Sequence, residues 1–180
     1  QPFVFHHDKL LWMNGVYIRR LSKEQLVEYC LPYLQEAGLL PKELDEPTRA
    51  YAERVIPLEQ EKMKVLKDVV SLTDFFFRDD YPIDEAAVRK WYTQPHIPQM
   101  LEELIRRYEA LESFDAESVE RVTREVIAWL GVKGGEVIHP VRVALSGRTT
   151  GPSLFEMMAV LGKERVLKRL RRAQGWVRSS

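Results

Sequence analysis

The residues best suited to chemistry lie between His139 and Leu170. Arg142 follows Pro140 and carries a planar guanidinium, five donors in a fixed fork. The stretch Thr149-Thr150-Gly151-Pro152-Ser153 then reads as a loop before a helix. Gly151 lets backbone approach a ligand closely, and the first turn of the helix exposes amides that have no intrahelical partner. Ser153 either caps that helix or touches the ligand. Forked donors, hydroxyls and open amides grip a polar partner; they do not break bonds. Readers of RNA sequence need this set, because they splay unpaired bases and bond to their edges.

Covalent and metal chemistry finds no comparable constellation. Gly134-Gly135 lacks the spacing and the Lys-Ser/Thr partner of a phosphate loop. His6, His7, His96 and His139 have no Cys or acidic partner at metal-ligand spacing. Ser146-Gly147 lacks the glycine that precedes the serine of a nucleophile elbow. Asp79-Asp80 reads as a solvated turn. No catalytic residue and no metal ligand is therefore assigned. Cys30 is the only cysteine, so no internal disulfide forms, and it falls in step with the apolar Leu26, Val27 and Leu31.

Composition fits a folded domain, with 45% hydrophobic and 30% charged residues in 180. Net charge is zero, but from His139 onward nine basic side chains face only Glu156 and Glu164. That end either meets a phosphate backbone or forms a solvated helix face. No apolar stretch reaches membrane-spanning length and Gln1 to Asp8 is no signal peptide, which leads us to expect a cytoplasmic protein. Gln1 in place of Met suggests a cut end.

Helical periods must position these groups. Leu10, Leu11, Asn14, Tyr17 and Ile18 trace one face of a first helix. Ser22 and Gln25 form a capping box for a second, which Gly38 closes and Pro32 should kink or stop early. Pro41 and Pro47 bracket a shorter element. Leu58 to Val70 reads as one helix with Met63, Leu66, Val69 and Val70 inward, and Leu72 to Phe77 as a short apolar one. Arg78-Asp79-Asp80-Tyr81-Pro82 marks the internal boundary. Asp84 caps a helix through Val88 and Trp91, Gln94 to Pro98 breaks the chain, and Met100 to Tyr108 resumes it. Asp115 starts a helix with Val119, Val122, Val126, Trp129 and Leu130 on one stripe, ended by Gly131, Gly134 and Gly135. Val141 to Leu145 is too short to assign by period, and Arg142 is placed on a short helical turn. The fold class is all-α.

The segment HPVRVALSGRTTGPSLFEMMAVLGKERVLKRL, residues 139–170, resembles the carboxyl-terminal end of bacterial glutamyl-tRNA synthetases. That family typically carries His/Gln-Pro-x-Arg-x-Ala-Leu-Thr/Ser-Gly, a Pro-bearing loop, Leu-Phe-Glu and Leu-Gly-Lys-Glu. KLLWMNGVYIRRLSKEQL, residues 9–26, is similar to the end of the family's stem-contact region. Gln60-Glu61-Lys62-Met63-Lys64 and the later Phe75-Phe76-Phe77 match its helical middle.

The resemblance implies an anticodon-binding helix cage of two small helical subdomains. Residues 1–20 would end the stem-contact region, 21–83 form the first subdomain and 84–180 the second. It implies that Arg142 contacts an anticodon base, and that Gly151, Pro152 and Leu154 line the pocket for splayed bases, with Thr150 in the same loop. Lys62 falls where discriminating members carry an Arg, so acceptance of glutamine as well as glutamate tRNA is left open. Arg148, Lys163 and Arg19 would meet the tRNA backbone or stem, and Trp12 and Asn14 fit stem contact or packing. The whole enzyme joins glutamate to tRNA with ATP and Mg²⁺, using a His-x-Gly-His type motif and a Lys-Met-Ser-Lys type loop. Neither occurs here, so the expectation is a monomeric tRNA-binding piece that holds no cofactor and does not aminoacylate alone. The competing reading is a helical protein-interaction domain with a solubilising basic end.

Overall fold

The computed structural model describes residues 15–177. Asn14, Trp12 and Arg178, and the Leu10–Leu11 part of the first helix, lie outside the described residues. The chain divides between Asp79 and Asp80 into two units. All regular structure among the described residues is helical, and no helix among them is long and apolar enough to cross a membrane.

The first unit holds α1 (Gly15–Arg20), α2 (Lys23–Glu36), α3 (Glu46–Val55), a 3-10 helix (Ile56–Lys62) and α4 (Asp68–Phe77). The capping box forms as the sequence requires: Gln25 N donates to Ser22 Oγ at 3.1 Å and Ser22 N to Gln25 Oε1 at 3.0 Å. At the other end Leu39 N reaches Leu34 O and Gly38 N reaches Gln35 O, with Gly38 at φ 79°. These are the two bonds of a Schellman close. Pro32 does not stop the helix. Both Pro32 and Glu28, the residue whose carbonyl it frees, are exposed.

Three further expectations change in this unit. Tyr17 is 59% exposed, so only Ile18 of the described first-helix face points inward. Pro47 does not bound an element but sits in the first turn of α3, where its missing amide costs nothing, behind the Asp45 cap. Leu58 to Val70 is not one helix. The Asp68 carboxylate accepts the Lys64 and Val65 amides at 2.8 and 3.1 Å, closing a turn where the helical ladder would have continued. Met63, Leu66 and Val69 are buried nonetheless, joining Ile18, Leu26 and Cys30 in one core, while Val70 is half-buried. The Gln60 side-chain amide donates to Ile18 O and Leu21 O, which fastens the end of α1 to the 3-10 helix.

The second unit holds α5 (Glu85–Trp91), α6 (Ile97–Glu109), α7 (Ala116–Leu130), α8 (Gly135–Ser146), α9 (Leu154–Leu161) and α10 (Lys163–Gln174). Asp84 and Asp115 cap α5 and α7 through the Ala87 and Ser118 amides. Pro98 does not break the chain but occupies the first turn of α6. Gly131, at φ 68°, closes α7, whereas Gly134 and Gly135 begin α8. Val119, Val122 and Val126 are buried as patterned, but Trp129 is 49% exposed, with the Arg107 guanidinium 5.8 Å from its ring centre. The stripe therefore narrows toward the end of α7. Helices α6, α7, α9 and α10 pack in successive pairs, and α8 is held by α5, α9 and α10. Residues 80–83 belong to this unit, because Tyr81 is buried in it.

Candidate nucleic-acid interface

Arg142 stands not on an isolated turn but well inside the twelve-residue helix α8, with Pro140 two residues before it in the same helix. Period alone leaves Val141 to Leu145 unassigned because the run is short and four of its five residues, Val141, Val143, Ala144 and Leu145, are 0% exposed, so burial is not confined to one face there. An interior proline leaves the carbonyl four residues earlier without its amide. For Pro140 that carbonyl belongs to Glu136, and His96 Nε2 lies 2.7 Å from it.

The carboxyl end of α8 takes its last helical bond at Val143 O, and the carbonyls beyond it have no further turn to satisfy them. Val143 O accepts from Gly147 N at 2.8 Å. Ala144 O accepts from Tyr81 OH at 3.1 Å and Arg172 Nη2 at 3.2 Å. Leu145 O accepts from Arg169 Nη1 at 2.6 Å, and Ser146 O from Arg148 Nε at 3.3 Å. Two guanidiniums also lie on the Tyr81 ring, Arg169 at 4.6 Å and Arg172 at 5.0 Å from its centre, and Arg172 donates to the Tyr81 hydroxyl. Cations at a helix carboxyl end complement its dipole. The basic end is therefore largely occupied within the fold. Arg169 is 1% exposed, Lys163 Nζ donates to Glu109 O at 3.1 Å and to Leu111 O, and Arg171 pairs with the Glu109 carboxylate at 2.6 Å. Much of that charge closes helix ends and is neither a bare phosphate patch nor a merely solvated face.

The close of α8 aims the loop that follows. Gly147 has φ 75°, and a Cβ there would sit 2.3 Å from Pro82 O. Asp84 N donates to Gly147 O at 2.7 Å, fastening the turn to the start of α5. The chain then runs through Arg148, Thr149 and Thr150 and turns back over α8. Arg142 Nη1 donates to Pro152 O at 2.7 Å, and a Cβ on Gly151 would lie 3.0 Å from the same nitrogen. Gly151 thus lies close to the guanidinium, at a distance that a small shift of the Arg142 side-chain end would relieve if a Cβ were added.

The structure thus brings together Arg142, Gly151 and Pro152, with Leu154 starting the next helix. Thr149 and Thr150 are exposed, Arg142, Arg148 and Gly151 are half-buried, and Pro152 and Leu154 are buried. Leu154, the first residue of α9, is 3% exposed. Ser153 makes no side-chain cap, so its hydroxyl does not occupy the amides at the start of α9. Lys62 lies in the first unit, at the end of the 3-10 helix, and Arg19 near the end of exposed α1. Among the described residues no group of three or more His, Cys, Asp or Glu is placed to hold a metal ion.

A family model for an anticodon binding domain matches residues 25–174. The chain belongs to the anticodon-binding domain family. It is 37% identical over 177 residues to a glutamate–tRNA ligase of Moorella thermoacetica, covering 98% of this chain and 36% of that protein. It is 40% identical over 172 residues to one from Elusimicrobium minutum, covering 96% and 34%. The crystal structure of a glutamate tRNA ligase from Elizabethkingia meningosepticum in complex with its amino acid superposes with a TM-score of 0.80 at 26% identity, over 97% of this chain and 33% of that one. The chain spans about a third of the length of these relatives.

Sequence reasoning misses the residues that hold this anticodon-binding domain's loop in place. It puts Tyr81 in a boundary turn, Arg169 and Arg172 on a basic face, and gives His96 no role. Two signals point to them. An interior Pro140 calls for an outside donor to Glu136 O, and a helix ending in Ser-Gly calls for donors to its last carbonyls.

Proposed function

We propose that this chain reads the anticodon for a glutamate–tRNA ligase, within a longer enzyme that joins glutamate to tRNA using ATP and Mg²⁺. The observation that carries this reading is the seating of Arg142 against the Gly151–Pro152 loop, with Nη1 2.7 Å from Pro152 O. That contact fixes the orientation of a planar, forked donor group beside an exposed loop, and orientation is what bidentate base contacts demand. Arg142, Thr150 and the Gly151 backbone are assigned the edges of the splayed bases, with Pro152 and Leu154 shaping the floor. Lys62, on the first unit, is assigned a separate contact. Arg19, Arg148 and Lys163 contribute positive charge toward phosphates, Lys163 with two of its donor directions already used. The setting is cytoplasmic, the chain acts as a monomer, and glutamate-accepting tRNA is the partner; glutamine-accepting tRNA belongs in the same test because Lys62 stands at the discriminating position.

Filter binding tests the assignment. Arg142→Ala should weaken binding of a glutamate-accepting anticodon stem-loop by about 5- to 150-fold, the equivalent of about 1–3 kcal/mol for a lost bidentate contact. Lys168→Ala, on the exposed side of α10, should cost far less, and affinity should fall as salt rises because counterions are released. Equal losses for the two variants would reduce the interaction to general electrostatics and end the assignment.

A further inference from the structure

We infer that His96 is a positioning residue for Arg142: it supplies the hydrogen bond that the missing amide of Pro140 would have made, and so holds straight the helix that presents the guanidinium. The inference rests on the reading of Arg142 as a base-contacting group.

Proline inside a helix removes one rung of the ladder and crowds the carbonyl four residues back. Unrepaired, such a site is where helices kink. In α8 the crowded carbonyl is Glu136 O, and the ring of His96, from the turn before α6, lies 2.7 Å away through Nε2. A carbonyl oxygen only accepts, so Nε2 carries the proton whatever the charge of the ring.

His96 does not act alone on this edge. Tyr92 OH donates to Pro140 O at 2.7 Å, and Tyr81 OH to Ala144 O at 3.1 Å. The three accepting carbonyls, at positions 136, 140 and 144, are each four residues apart, so they run along one edge of α8. All three ring donors come from the short stretch between residues 81 and 96. The Trp91 ring also stacks on His139, 5.6 Å between centres at 25°. Arg142 lies two residues past Pro140, about 200° around the helix axis. The clamp therefore grips the helix away from the guanidinium. A pivot at Pro140 would swing Arg142 against the Gly151–Pro152 loop, and forked recognition tolerates only about 0.5 Å and 10–20° of error. Pro32 in α2 differs in its surroundings, since the carbonyl it frees belongs to Glu28, an exposed residue, whereas Pro140 is buried.

A thermodynamic cycle on the full 180-residue chain tests this. The probes are a glutamate-accepting anticodon stem-loop and the same stem-loop with its anticodon bases replaced, titrated well below the melting temperature of every variant. The reading is the ratio of the two affinities, which a purely structural loss leaves unmoved in protein that remains folded. His96→Ala should lower the ratio roughly tenfold, within the range for loosening one bidentate contact. His96→Gln, whose side-chain amide reaches a comparable position, should restore most of it. In a Pro140→Ala background, removing His96 should change the ratio less than about twofold, because the backbone amide gained with that substitution now serves Glu136 O.

An unchanged ratio in His96→Ala, with only a lower melting temperature, would reduce His96 to a stabilising contact and overturn the inference. So would equal losses in both backgrounds. If His96→Ala does not fold, the His96→Ala/Pro140→Ala chain should fold and discriminate, and its failure to do so also overturns it. Arg142→Ala is measured alongside. If it leaves the ratio unchanged, the base-reading assignment itself falls. If it lowers the ratio and His96→Ala does not, only the role of His96 is refuted.

Discussion

Replacing Gly147 by alanine isolates the contact that aims the candidate loop. Two separate costs meet at this position. The first is conformational: φ is 75°, and holding a residue with a Cβ there costs about 1 kcal/mol or more. The second is steric: the new Cβ would lie 2.3 Å from Pro82 O and 3.1 Å from both Ile83 Cα and a Tyr81 ring carbon. Two of these three neighbours are backbone, and the Tyr81 ring lies under two guanidiniums, so none can yield easily. Overpacking of this kind costs about 1–3 kcal/mol, giving roughly 2–4 kcal/mol together. A unit of this size loses about 4–8 °C of melting temperature per kcal/mol, so the drop should be about 10–30 °C. Gly131 serves as the internal control. It lies in the same unit at φ 68°, with nothing within 4 Å of an added Cβ, so Gly131→Ala carries the conformational cost alone, a fall of about 4–8 °C. The assay is thermal unfolding of both variants by circular dichroism and calorimetry. Equal melting temperatures for the two would mean that the approach of Gly147 to Pro82 does not constrain the turn, and the account of how α8 is closed would fail.

Two further outcomes follow from the titrating groups. Hydrogen bonds from the Ser118 side chain and amide hold the Asp115 carboxyl below the ordinary carboxylate range. A lowered folded value means that the stabilisation is fully present above the ordinary value and fades as pH falls through the lowered one. The melting-temperature gap between the parent chain and Asp115→Ala should therefore be constant at neutral pH and shrink below about pH 4; a gap that persists unchanged into strong acid contradicts this. Burial pushes the Cys30 thiol up to about 12. In the folded protein it should resist alkylation at pH 8 and react at an ordinary thiol's rate only in denaturant, and rapid labelling of native protein would show that the first core is open.

Legibility follows the range of the interaction. Ser22 with Gln25, Asp84 and Asp115 are readable because a cap is a bond between residues three apart, and Gly38 and Gly131 because a left-handed close is a property of one residue. The break near Met63 is not readable. It depends on whether the Asp68 carboxylate turns back to the Lys64 and Val65 amides, and helix and turn place Met63, Leu66 and Val69 inward alike. Trp129 misleads for a related reason: the helical period includes it, but the width of the buried stripe depends on which neighbours cover the last turn. The motif residues around Arg142 are found because they are contiguous in sequence.

Local chemistry along the chain is enough to establish that it is helical, where most helices begin, and which family it resembles. These follow from local bonds, from apolar periods and from a contiguous motif. Folding settles where each charge sits. Arg169 and Lys163 look the same in the sequence as Lys168, yet the first is buried on Leu145 O, the second closes α6, and the third is exposed. Folding also brings His96, far from Pro140 in the chain, to supply the donor that proline lacks. A cation is attracted equally to a phosphate and to the open end of a helix. Which it meets depends on the carbonyls that folding carries to within about 3 Å, and no spacing along the chain records that distance.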